Sequence, residues 1–125
     1  MLTAEPEEVS TGGVEHLRWS VSSDAADVVV RLDGDLDLAT VGEVGRLLGK
    51  IVERRPGTIA LDATNLSFLD STGIHCLVNA AEAASRVGST LVLRNPSASV
   101  VRVLGICGVD ELLLDAAGRD ATARR

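Results

Sequence analysis

Thr58-Ile59-Ala60-Leu61-Asp62-Ala63-Thr64-Asn65-Leu66-Ser67-Phe68-Leu69-Asp70-Ser71-Thr72-Gly73-Ile74 is the stretch on which the fold turns. Its first five residues are a short apolar run of the kind that parallel sheets bury on both faces. Residues 65–70 predict a loop. Beyond them Ile74, Leu77, Val78 and Ala81 recur at helical spacing, and Gly88 suits the position just past a helix end. A strand feeding an amphipathic helix is half of a crossover unit, and the flanking sequence repeats the pattern. Upstream, Val28 to Leu32 reads as a strand that Gly34 ends, followed by a helix on which Val41, Val44, Leu48 and Ile51 share a face as far as Pro56-Gly57. Downstream, Leu91-Val92-Leu93 is a strand, and Asn95-Pro96 fits a helix cap with proline in the first turn. Val100, Val103 and Leu104 then face inward on a third helix that ends near Gly108, and Leu112-Leu113-Leu114 reads as a last strand.

Working outward, Leu17 to Val21 alternates, and a turn at Ser22-Ser23-Asp24 makes it the hairpin partner of the Val28 strand. Residues 1–13, with Glu5-Pro6-Glu7-Glu8 and the pair Gly12-Gly13, predict a flexible N-terminal arm. Residues 116–125 predict a tail, frayed or briefly helical. The expected fold is therefore α/β: one domain over residues 14–115, built on a mixed open sheet of about five strands with three to four helices.

Composition narrows the function. The chain has 125 residues, 46% of them apolar, and its only aromatic residues are Trp19 and Phe68. Its core must be aliphatic, and the aromatic residues that a base-stacking platform needs are too few. A net charge of −6 opposes nucleic acid and anionic lipid as partners. The apolar runs are too short for a membrane span, and the acidic N-terminus does not read as a signal peptide, so a cytoplasmic location is expected. Cys76 and Cys107 are expected to remain buried thiols.

Sites in open α/β sheets gather where strand ends feed helices. Two acidic segments qualify, Asp33-Gly34-Asp35-Leu36-Asp37 and Asp70-Ser71-Thr72-Gly73. Asp70, Ser71 or Thr72 could simply cap the helix. A phosphate on a hydroxyl there would instead add a charge of about −1.5 to −2 to a surface without disturbing the core. Ser71, His75, Asn79, Glu82 and Arg86 form one polar stripe, and Gly42, Gly45 and Gly49 form a bare strip on the preceding helix. Either a solvated face or a partner contact accounts for the stripe.

Enzymatic readings lack parts. Ser71 and His75 lie a turn apart, but nothing orients the imidazole and no nucleophile elbow surrounds the serine. Asp33, Asp35, Asp37, Asp62 and Asp70 could gather magnesium, yet a receiver-like site needs a cation after the last strand, and the only lysine, Lys50, is in the first helix. His75, Cys76 and Cys107 are too few for zinc, and no phosphate-binding glycine loop is present.

Three segments carry a family resemblance: Val30-Arg31-Leu32-Asp33-Gly34-Asp35-Leu36-Asp37, Leu61 through Ile74, and Val100-Val101-Arg102-Val103-Leu104 through Gly108-Val109-Asp110. Together they resemble the STAS domain, and within it the bacterial anti-sigma factor antagonists. The Asp70-Ser71-Thr72-Gly73 motif is the specific one. The resemblance implies a protein that is not an enzyme and needs no cofactor or metal. In similar proteins the unphosphorylated antagonist binds an anti-sigma factor that is also a serine kinase and so frees a sigma factor. Phosphorylation dissolves the pair, and a serine phosphatase resets it. Carried over by position, Ser71 is the acceptor, and Asp35, Asp37, Asp70, Thr72, His75 and Asn79 are partner-binding residues. Many relatives carry a small residue where His75 stands, two after Gly73. The alternative within the family is an accessory or scaffold module, in lipid transport or signalling, that docks a partner without phosphorylation.

Overall fold

The computed structural model describes residues 8–24 and 26–114. Five strands, Glu8–Val14 (β1), Leu17–Asp24 (β2), Asp27–Leu36 (β3), Thr58–Leu69 (β4) and Thr90–Arg94 (β5), form one mixed sheet in sequential order. The pairs β1–β2 and β2–β3 are antiparallel, whereas β3–β4 and β4–β5 are parallel. Val41–Glu53 (α1) and Ser71–Arg86 (α2) make the two crossovers. The two helices pack together, as expected of crossovers of the usual right hand that step the same way across the sheet and so fall on one face. Ala98–Ile106 (α3) and Asp110–Leu113 (α4) follow β5.

Strand alternation records which face the helices cover. Val28, Val30 and Leu32 of β3 are buried, while Arg31 and Asp33 between and beyond them are exposed. Most of the largest fully enclosed side chains are leucine: Leu32, Leu36, Leu48, Leu61, Leu77 and Leu104 are within 1% of complete burial. The aliphatic core expected from composition is the one found. Trp19 lies partly buried at its margin, its indole N–H donating to Glu43 Oε2 of α1 at 3.1 Å.

Several elements differ from their sequence reading. Glu8–Val14, within the segment read as an arm, is the edge strand β1, and residues 1–7 lie outside the described residues. Gly12 is there for space: a side chain at this position would run into the Trp19 indole. Ser22-Ser23-Asp24 continues β2 rather than turning. Gly34 does not end β3 but sits inside it at φ 125°, where the His16 carbonyl occupies the place a Cβ would take.

Residues 65–69, read as loop, extend β4 alongside Asp33 to Leu36. Two register shifts interrupt that pairing, one between Arg31 and Asp33 and one between Gly34 and Asp35. They erase the period-two signal that would have marked a strand. Ser97, not Asn95, caps α3, its hydroxyl accepting from the Val100 amide at 3.3 Å; Asn95 is left-handed at φ 58°. The Leu112 to Leu114 segment is the end of α4, with one parallel bridge from Leu114 to Leu93. Both cysteines are free thiols, but Cys107 is exposed and only Cys76 is partly buried. The expected tail, 116–125, lies outside the described residues.

Candidate functional site

The carboxyl ends of β3 and β4 feed α1 and α2, and their last residues are stitched together. The Asp70 amide donates to the Leu36 carbonyl at 3.3 Å, joining the two helix entrances. Gly73 lies directly beneath, since a Cβ there would be 2.5 Å from the Leu36 carbonyl oxygen and 2.8 Å from a Leu69 methyl. That is why this position holds glycine.

Asp70 is the N-cap of α2. Its Oδ1 accepts from the Gly73 amide at 2.9 Å and from the Thr72 hydroxyl at 2.6 Å. The Thr72 hydroxyl chiefly, then the Gly73 amide, hold the Asp70 carboxyl below its ordinary range against the opposing effect of burial, with the amides of Leu38 and Thr72 adding less. The Thr72 hydroxyl is therefore committed to the cap. Ser71, the first helical residue, is exposed, and its hydroxyl makes no hydrogen bond among the described residues.

At the other entrance, the buried Thr40 hydroxyl donates to the Asp35 carbonyl at 2.8 Å and accepts from the Asp37 amide at 3.0 Å. Asp37 Oδ1 accepts from the Ala39 amide at 3.0 Å, and its carbonyl accepts from the amides of Thr40 and Val41. His16, in the β1–β2 turn, donates through Nε2 to Asp37 Oδ2 at 2.7 Å, and its carbonyl accepts from the Asp35 amide at 3.3 Å. The hydrogen bond raises the imidazole pKa and lowers that of Asp37, the charge of each partner acting the same way.

Asp35, Asp37 and Asp70 thus share one rim beside Ser71. Thr72, His75 and Asn79 instead line a groove of about 450 Å³ between α1 and α2, opposite Val41, Gly45 and Gly49. Two glycines of the bare strip form one of its walls. Glu82 and Arg86 are exposed farther along α2. His16 was not legible in the sequence reading, because its partner is reached only once 8–14 is recognised as a strand.

Of Asp33, Asp35, Asp37, Asp62 and Asp70, only Asp35 and Asp37 fall in a cluster of such donors among the described residues. Asp62 pairs with Arg31 at 3.3 Å in mid-sheet, and among the described residues the donors that gather within 4.8 Å are those of His16, Asp35 and Asp37. The His16–Asp37 hydrogen bond accounts for that proximity. Cys76 faces the α1 backbone, its Sγ 4.0 Å from the Val41 carbonyl, and burial pushes its thiol pKa up. Among the described residues no helix is long and apolar enough to cross a membrane.

The profile of the STAS domain matches residues 18–121. The chain belongs to the STAS domain family. Among curated STAS relatives, an anti-sigma F factor antagonist of Lysinibacillus sphaericus is 29% identical over 98 residues, covering 78% of this chain and 84% of that protein. Among solved structures, the unphosphorylated anti-sigma factor antagonist SpoIIAA matches with a TM-score of 0.64 at 24% identity, over 94% of this chain and 95% of its own. Its phosphorylated form, from Bacillus, gives 0.58 at 24% identity over 94% and 98%. An anti-sigma factor antagonist from Mycobacterium paratuberculosis gives 0.64 at 22% identity over 97% of each chain. At these identities the structures share the STAS fold.

Proposed function

We propose that this STAS protein is an anti-sigma factor antagonist acting in the cytoplasm by exchange of partners. Unphosphorylated, it binds an anti-sigma factor that is also a serine kinase and so releases a sigma factor; phosphorylation of Ser71 ends the binding, and a serine phosphatase restores it. The chain supplies an acceptor and a surface, and the chemistry belongs to the kinase and the phosphatase. The observation that carries this reading is the contrast between adjacent hydroxyls: Ser71 is exposed and unbonded among the described residues, while Thr72 is held by Asp70. The antagonist relative from Lysinibacillus sphaericus supports it.

Electrostatics gives the switch its direction. A phosphate on Ser71 stands at the positive end of α2, which keeps the domain folded. It also joins the Asp70, Asp35 and Asp37 carboxylates, so the rim becomes more negative toward any acidic group on the partner. A loss of about 1.4 kcal/mol already weakens binding tenfold.

The test is incubation with the anti-sigma kinases of the source organism and ATP, followed by peptide mass spectrometry. One phosphate on Ser71 is expected, with loss of the complex on phosphorylation. A phosphate elsewhere, or none, removes the switch. Equal affinities for Ser71→Ala and Ser71→Asp would identify a constitutive scaffold instead.

A further inference from the structure

Large apolar side chains are exposed at four described positions: Leu38 at 75%, Phe68 at 51%, Ile106 at 78% and Leu112 at 44%. Two of them lie close to the Asp70 cap that precedes Ser71. Phe68 is the penultimate residue of β4, two before the capping Asp70, and pairs in register with Asp35. Leu38 belongs to the β3–α1 loop, and its amide is among the groups that stabilise the Asp70 carboxylate. Neither is loosely held. Leu38 lies in sequence between Asp37 and the hydrogen-bonded Thr40, and Phe68 is fixed by strand pairing, so their exposure is built into a well-bonded part of the backbone.

We infer that Leu38 and Phe68, beside the Asp70–Ser71 helix entrance, are the apolar anchors of the partner interface, and that they fit an anti-sigma factor face carrying apolar pockets bordered by basic side chains. This rests on the reading of the chain as an anti-sigma factor antagonist. Interfaces concentrate their binding energy in a few apolar or aromatic anchors surrounded by polar contacts that exclude water. Here the anchors are Leu38 and Phe68, and the surrounding groups are the Asp35, Asp37 and Asp70 carboxylates, which call for positive charge opposite them. The arrangement also strengthens the switch. With both anchors docked next to it, the exposed Ser71 hydroxyl falls within the contact, and a phosphate there must be stripped of water as the interface closes. That loss of hydration opposes docking of the phosphorylated form.

The experiment is calorimetric titration of purified anti-sigma kinases of the source organism with the full chain and with Leu38→Ser, Phe68→Ser and Ile106→Ser. All three residues are exposed, so the variants should unfold within a few degrees of the parent, and circular dichroism checks that. Leu38→Ser and Phe68→Ser are each expected to weaken the complex at least tenfold, with Ile106→Ser unchanged. Binding that survives both rim substitutions but is still abolished by phosphorylation of Ser71 overturns the anchors and leaves the antagonist reading standing. Loss confined to Ile106→Ser overturns them in favour of the α3–α4 end. If the parent binds none of the kinases, the antagonist reading fails and the anchors fail with it.

Discussion

The two helices that leave the parallel strands are held at their entrances in opposite ways. The β3–α1 entrance is closed on itself: the buried Thr40 hydroxyl bonds Asp35 and Asp37, Asp37 caps the turn, and His16 reaches across from the edge hairpin to tie the aspartate down. The β4–α2 entrance rests on one carboxylate, Asp70, which serves Thr72 and Gly73 and leaves Ser71 to solvent. Adjacent positions in one fold thus provide a rigid reference and an accessible hydroxyl. A modification can change the charge of the second without loosening the first, which is what a switch needs if it is to alter binding rather than folding.

The largest effect expected from breaking this contrast is at the closed entrance. Gly34→Ala puts a side chain at φ 125° and against the His16 carbonyl, so strain and overpacking add. A loss of about 3 kcal/mol or more in urea unfolding is expected. Thr40→Val keeps the shape but leaves the Asp35 carbonyl and the Asp37 amide without their partner, at a cost of about 1–3 kcal/mol. Ser71→Ala, in the same assay, should stay within about 0.5 kcal/mol of the parent. If the Thr40 and Ser71 variants are equally stable, the two entrances are not different in kind.

A smaller effect is set by pH. The folded-state pKa of His16 is raised, so its contribution is fully present below the ordinary value of 6.5 and fades as pH rises through the higher folded value. Asp37 and Asp70 have lowered values, so theirs is present above 3.8 and is lost as pH falls through the folded values beneath it. Unfolding midpoints measured across these two windows should decline at both ends. His16→Asn should flatten the alkaline side and leave the acid decline from Asp70 in place; an unchanged alkaline decline would assign it to another group.

The expected strand count of five agrees with the structure, but by exchange. The edge strand β1 was read as an arm because glycines and acidic residues are poor local evidence for a strand; backbone pairing with β2 and the Trp19 indole lying over Gly12 decide otherwise. The Leu112 to Leu114 run was read as a strand because three leucines carry no period, and only the packing around Leu113 and Leu114 selects a helical turn ending in a single bridge. At the second helix entrance, the cap at Asp70 was legible because a capping residue acts on its own neighbours. His16, twenty-one residues from Asp37, was not.

What the sequence determined by itself was the crossover half of the sheet, the aliphatic core and the helix start at Ser71, all of which rest on local periodicity and capping. Only the tertiary structure decided which of two neighbouring hydroxyls is free, which aspartate is clasped by a histidine, and where Leu38 and Phe68 stay exposed. Those features depend on groups distant in the chain meeting at one rim, and nothing in the spacing of adjacent residues encodes such a meeting.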